Sequence, residues 1–236
     1  MGLGCEGRGA VVADVSLREL IERARLVLFD FDGPVCDVFA GVPAPEVARW
    51  LERHLPSKVE TDDPLAILQE AAKYGLDAVK AVEDDLIMAE LRATDESVAT
   101  PDGLESISAT LTSGRRAGIL SNNSSQAIEN YLGGAGILGK VKPVIGRAYA
   151  RPDLMKPSPH PLNTALTESN CTAGEALFIG DSLSDIEAAR AVGAPVVGLA
   201  NKPGKADSFA AAGADKVIET MTELRAELVR AGLPGT

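Results

Sequence analysis

The sequence predicts an α/β fold: a parallel sheet with helices on both faces, interrupted by a helical insertion. Three observations carry that expectation. Short, wholly apolar runs such as Leu26-Val27-Leu28-Phe29 and Ala176-Leu177-Phe178-Ile179 have the length and composition of strands buried on both faces. From about residue 100 onward such runs alternate with helical segments, the pattern of a parallel sheet joined by right-handed crossovers. Between the first run and the next lie about 65 residues of helical periodicity without a strand-like run, too many for one crossover.

Residues 1–16 read as a disordered tail. The start Met1-Gly2-Leu3-Gly4-Cys5-Glu6 only faintly resembles a myristoylation signal, because Glu6 stands where Ser or Thr is required. It also lacks the basic start and apolar stretch of a signal peptide. Ser16 with Glu19 three residues later makes a capping box, and Leu17, Leu20, Ile21 and Ala24 give the helix that follows one apolar face. The strand 26–29 then ends on Asp30-Phe31-Asp32-Gly33, with Gly33 marking a turn.

From about Cys36 to Thr100 the helical pattern is broken by Pro43, Pro45, Pro56 and Pro64. Val79, Val82, Leu86 and Ala89 fall at i, i+3, i+7 and i+10, with acids expected on the other face, so the insertion reads as a small helical bundle. Thr100 is expected to cap the next helix and Pro101 to take its first position. Further strands are expected at 117–120, 143–146, 176–180, 195–199 and 216–218. Helices are expected near 102–113, 124–132, 158–169, 184–192, 204–212 and 220–231. The domain expectation is a core of 17–35 and 101–236 with an insertion of 36–100.

The chain has 236 residues, a hydrophobic content of 45% and a charged content of 24%, which describe an ordinary soluble globular protein. Its net charge of −11 argues against a nucleic-acid or anionic-membrane surface. No apolar run approaches the ~18 residues that span a bilayer. Cys5, Cys36 and Cys171 are far apart and lack metal-ligand spacing, as fits a reducing cytosol. The expected location is therefore cytoplasmic. Cys36 is close enough to Asp30 to line a site, but a buried, small apolar role is expected.

Chemistry in such sheets collects at the carboxyl ends of strands, and polar clusters follow the apolar runs there. Asp30 and Asp32 end the first run, and two carboxylates so spaced can both face the crevice. Ala117-Gly118-Ile119-Leu120 leads into Ser121-Asn122-Asn123; Lys156 sits in Met155-Lys156-Pro157 before a helical segment; and Ile179 leads into Gly180-Asp181-Ser182-Leu183-Ser184-Asp185. This order resembles the four signature motifs of the haloacid dehalogenase-like (HAD) superfamily, over roughly residues 26–200.

The resemblance implies a Rossmann-like core and, from an insertion just after the first motif, a cap of the C1 type similar to those of phosphoglycolate phosphatase and β-phosphoglucomutase. It implies Asp30 as nucleophile and Asp32 as general acid and base. It further implies phosphate contacts from Ser121, Asn122 and Lys156. Metal ligation is implied for Asp30, the backbone carbonyl of Asp32, and Asp181, with Asp185 acting through water or orienting Lys156. Four acids in one crevice need cations, since two like charges ~4 Å apart cost about 4 kcal/mol at an effective dielectric near 20. Lys156 supplies one, and all-oxygen ligation favours Mg²⁺ for the other.

The expected function is a Mg²⁺-dependent phosphatase of a small phosphorylated metabolite, working as monomer or homodimer. A phosphomutase of the β-phosphoglucomutase type and a non-catalytic binding module are the alternatives. A phosphonoacetaldehyde-hydrolase-like activity would need a cap lysine, for which Lys58, Lys73 and Lys80 are available. Pro34 departs from the Thr or Val often found in relatives and stiffens the loop toward the cap. Asp32 argues against dehalogenation. His54 and His160 are expected at the surface or in packing, and Trp50, between Arg49 and Arg53, in the packing of the cap.

Overall fold

The protein's structure is a computed structural model that describes residues 15–232. Most of the expected tail, including Cys5, lies outside the described residues. The first helix, α1 (Leu17–Arg23), carries its capping box: the Ser16 hydroxyl accepts from the Glu19 backbone at 3.2 Å, and Glu19 Oε2 accepts from the Ser16 backbone at 2.9 Å.

The described strands are β1 (Leu26–Phe29), β2 (Cys36–Asp37), β3 (Val98–Ala99), β4 (Arg116–Leu120), β5 (Val144–Ile145), β6 (Ala176–Gly180), β7 (Val196–Leu199) and β8 (Lys216–Ile218). Six of these form one parallel sheet in the order β5-β4-β1-β6-β7-β8. Its central strand explains its own composition. Val27 and Phe29 pack into the core on one face with Ile119 and Ile179, while Leu26 and Leu28 pack on the other with Phe178 and Ile186. A strand covered twice has no solvent face to mark with polar residues.

Helices α5 (Gly103–Thr112), α6 (Ser125–Gly134), α7 (His160–Glu168), α8 (Leu183–Val192), α9 (Lys205–Ala211) and α10 (Met221–Ala231) alternate with the strands, as expected. The insertion holds α2 (Ala44–Leu51), α3 (Pro64–Ala71) and α4 (Leu76–Asp95), which share an apolar cluster of their own containing Val47, Leu51, Ile67, Leu68, Val82 and Leu86. The expectation of an α/β fold with an inserted helical cap is thus met.

Four local expectations are corrected. The insertion is not free of strand: β2 and β3 pair antiparallel where the chain leaves and re-enters the core. Two-residue strands are too short to leave a periodic signal. Helix α5 begins at Gly103, after the expected Thr100 and Pro101, because the Thr100 hydroxyl donates instead to the Gly33 carbonyl at 2.5 Å. Asp102 precedes it in the left-handed region at φ 61°, pinned by Thr222 and Arg225 of α10. The acids of α4 are not all on its outer face, since Glu83 and Glu90 are buried with Val79, Val82 and Leu86. Finally, Trp50 stays 39% exposed, its ring under the Arg53 guanidinium at 4.0 Å, so it is a surface cation–π pair instead of cap packing.

Candidate active site

Strand order decides where the site lies. β1 sits between β4 and β6, the connections to its two sides diverge, and a crevice opens at the carboxyl ends of these strands. Asp30 follows β1, Ser121 follows β4 and Asp181 follows β6, so three of the sequence-selected residues meet there. Lys156, ahead of α7, and Asp185, in the first turn of α8, complete the group.

Asp30 is buried, and its Oδ1 accepts from the Phe31 backbone at 2.7 Å and pairs with Lys156 Nζ at 2.9 Å. Burial and the neighbouring Asp185 push the Asp30 carboxyl well above its ordinary range, against the pull of Lys156. For Lys156, burial opposes the charge, but the carboxylates of Asp185 and Asp30 outweigh it and hold the ammonium above its usual pKa. Lys156 Nζ meets Asp185 Oδ1 at 2.5 Å. The other Asp185 oxygen accepts from the backbones of Asp181 and Ser182, both at 3.0 Å, and from the Ser182 hydroxyl at 2.7 Å. Asp185 is therefore spent on orienting Lys156 and capping α8. Gly180 permits this closeness, since a Cβ there would stand 2.4 Å from the Asp185 Cβ.

Asp32 lies beyond β1, where its Oδ1 accepts from the Val38 backbone at 3.0 Å. Burial pushes its carboxyl up to about 6 despite that hydrogen bond. The intervening Gly33, at φ 100°, leaves no room for a side chain, since a Cβ would meet the Asp181 carboxylate carbon at 2.4 Å. Ser121 is buried and exchanges hydrogen bonds with Asn123, at 3.1 Å through its hydroxyl and 3.3 Å to the Asn123 backbone. The Asn122 side chain does not point at the crevice as a donor. It clamps the Lys156 backbone, accepting from its N–H at 2.8 Å and donating to its carbonyl at 3.1 Å.

Carboxylate oxygens of Asp30, Asp181 and Asp185 all lie within 4.8 Å of one another, a donor set of the all-oxygen type that suits a hard divalent cation. Asp181 Oδ2 also pairs with Lys205 Nζ at 2.8 Å and accepts from Asn201 at 3.2 Å. The residues present fit such an ion, with Asp30 and Asp181 as the carboxylates best able to reach it.

A cavity of about 530 Å³ covers these groups, walled on the core side by Asp30, Asp32, Ser121 and Lys156 and on the cap side by Phe39, Asp62, Asp63, Gln69 and Leu86. Lys58, Lys73 and Lys80 are exposed and outside this lining, so no Schiff-base lysine comes from the cap among the described residues. His54 pairs with Asp85 at the cap surface, and His160 is exposed at the start of α7. Cys36 is fully buried, with burial pushing its thiol up, in keeping with an apolar role. Sequence reasoning missed Lys205, Asn201, Glu83, Glu90 and Arg147. Only the i, i+7 spacing of the two glutamates on the apolar face of α4 could have signalled any of them.

A central strand that delivers acids beside a buried lysine, beneath a helical insertion, defines a capped α/β enzyme. The chain belongs to the haloacid dehalogenase-like hydrolase family, whose sequence profile matches residues 27–199. It is similar to the phosphoglycolate phosphatase of Rhodospirillum rubrum, 26% identical over 190 residues that span 73% of this chain and 78% of that protein. It is also similar to the pyrophosphatase PpaX of Bacillus velezensis, 23% identical over 209 residues, or 86% and 95% of the two chains. The structure of CbbY from Rhodobacter sphaeroides in complex with phosphate covers 85% of this chain and 96% of its own, with a TM-score of 0.67 at 17% identity, a likeness of fold. Hydrolase chemistry follows from the family. No helix among the described residues is long and apolar enough to cross a membrane.

Proposed function

We propose that the protein is a Mg²⁺-dependent phosphatase that hydrolyses a small phosphomonoester through an aspartyl-phosphate on Asp30. The observation that carries this reading is the buried Asp30 carboxylate at the end of the central strand, 2.9 Å from Lys156 Nζ and clustered with Asp181 and Asp185. In the first step an Asp30 oxygen bonds to phosphorus as the ester P–O bond breaks, and the departing alkoxide takes the Asp32 proton. A carboxyl raised to about 6 keeps that proton in most molecules below pH 6 and in a minority at neutral pH, more than an ordinary aspartate would. In the second step water attacks the same phosphorus, Asp32 recovers a proton from it, and the Asp30 carboxylate leaves with phosphate released.

Lys156 and the Ser121 hydroxyl would bind equatorial oxygens, helped by the backbone N–H of Asn122. Mg²⁺, held by Asp30, the Asp32 carbonyl and Asp181, would supply charge neutralisation for the phosphoryl group, with Asp185 acting through Lys156 or bound water. Residues 36–100 are read as the cap that selects the leaving group, and 17–35 with 101–236 as the core. The similarity to a phosphoglycolate phosphatase and a pyrophosphatase supports the phosphoryl class without choosing the ester. Phosphate release from a panel of esters, with and without Mg²⁺, tests the reading on wild type and Asp30→Asn. Mg²⁺-dependent release lost in the variant supports it. Isomerised hexose phosphate without release would replace it with a phosphomutase, and silence across the panel with a binding module.

A further inference from the structure

Three charges that the proposed chemistry does not use are buried between cap and core. Arg147, in the segment after β5, is completely enclosed, as are Glu83 and Glu90 on the inner face of cap helix α4. The guanidinium reaches Glu83 Oε1 through Nε and Nη2, both at 2.8 Å, and Glu90 Oε1 through Nη1 at 2.8 Å. Burial opposes the charge of Arg147, but Glu90 and Glu83 more than restore it. Burying an ion triad contributes little net stability compared with apolar packing, so its use here lies in what it orients.

That orientation can be followed atom by atom. Arg147 Nη1 also donates to the Asn122 carbonyl at 2.6 Å. Glu90 accepts from the Ser124 backbone at 2.9 Å and from the Asn123 amide at 3.4 Å. The loop from Ser121 to Ser124 is thus gripped at three successive residues, Asn122 by Arg147 and both Asn123 and Ser124 by Glu90 of the cap. Asn122 in turn holds both backbone groups of Lys156, whose ammonium meets Asp30 and Asp185. Further along α4, Asn130 of α6 donates to Thr94 at 3.1 Å and Asp95 at 2.9 Å, so this half of the helix is seated on the core.

We propose that Arg147, clamped by Glu83 and Glu90, is a positioning residue that sets the Ser121–Ser124 loop and, through Asn122, Lys156. Cap helix α4 thereby fixes the geometry of the phosphate site. The functional consequence rests on the phosphatase reading, while the positioning itself does not.

The test uses the full chain with Arg147→Lys, which keeps the charge but loses the fork, and Glu90→Gln, which keeps the shape but loses the charge. Hydrogen exchange of 121–125 and 155–158 should quicken at least about tenfold in both, the loss of roughly one charge-assisted hydrogen bond. With p-nitrophenyl phosphate and Mg²⁺, kcat per folded molecule should fall up to about 100-fold at a KM changed less than about threefold. Arg147→Lys combined with Asn122→Ala should lose little beyond the larger single effect, since both act on one path. Unchanged exchange in the two segments, a lower Tm with unchanged kcat, or additive losses would overturn the proposal. Should the wild type turn over no ester, the phosphatase reading fails, and the exchange data still decide the positioning.

Discussion

Asp30 and Lys156 show how burial is turned to use. Each charge would be costly alone, and together with Asp185 they compensate one another where all three are buried. Lys156→Met leaves two buried carboxylates facing each other, and kcat is expected to drop at least about 100-fold with the protein still folded in circular dichroism. Arg147→Met strands two glutamates in the same way, at a stability cost of about 3–5 kcal/mol measured by denaturant unfolding. Asp30, Asp32, Ser121, Lys156, Asp181 and Asp185 were legible in the sequence because each stands beside an apolar run that announces a strand end or helix start. Arg147 and its glutamates were not, since the triad joins elements 57 to 64 positions apart and a carboxylate on a helix reads as solvated. Asn122 was legible as a site residue, but its work as a clamp on Lys156 needed the fold.

At the scale of elements, the core strands were readable because both of their faces are covered, which leaves an unbroken apolar run. The pairing of β2 with β3 was hidden because it depends on where the chain returns after the insertion. One turn offers a pH test. Glu175, before β6, accepts from Thr172 in a capping box and pairs with Arg25 ahead of β1 at 2.9 Å. The Thr172 N–H, the Arg25 guanidinium and the Thr172 hydroxyl hold its carboxyl down from 4.5 to about 2. A depressed folded pKa means the stabilisation is full above 4.5 and is lost as pH falls through about 2. Glu175→Gln should therefore lower Tm at neutral pH, and its Tm gap from wild type should close progressively below 4.5.

The whole molecule carries a net charge of −11, so attraction of an anionic ester must be local. Lys156 provides it on the core side, while the cap wall adds Asp62, Asp63 and Gln69. Esters whose alcohol bears a carboxylate should accordingly show a kcat/KM about tenfold below neutral esters of equal size, and Asp62→Asn with Asp63→Asn should narrow that gap. The most direct test of the central claim is to quench the enzyme during turnover, reduce it with borohydride and sequence the peptide holding residue 30 by mass spectrometry. An aspartyl-phosphate on Asp30 predicts homoserine at that position, dependent on substrate and lost in Asp30→Asn. Steady phosphate release with Asp30 unmodified, or with the label on another residue, would contradict it.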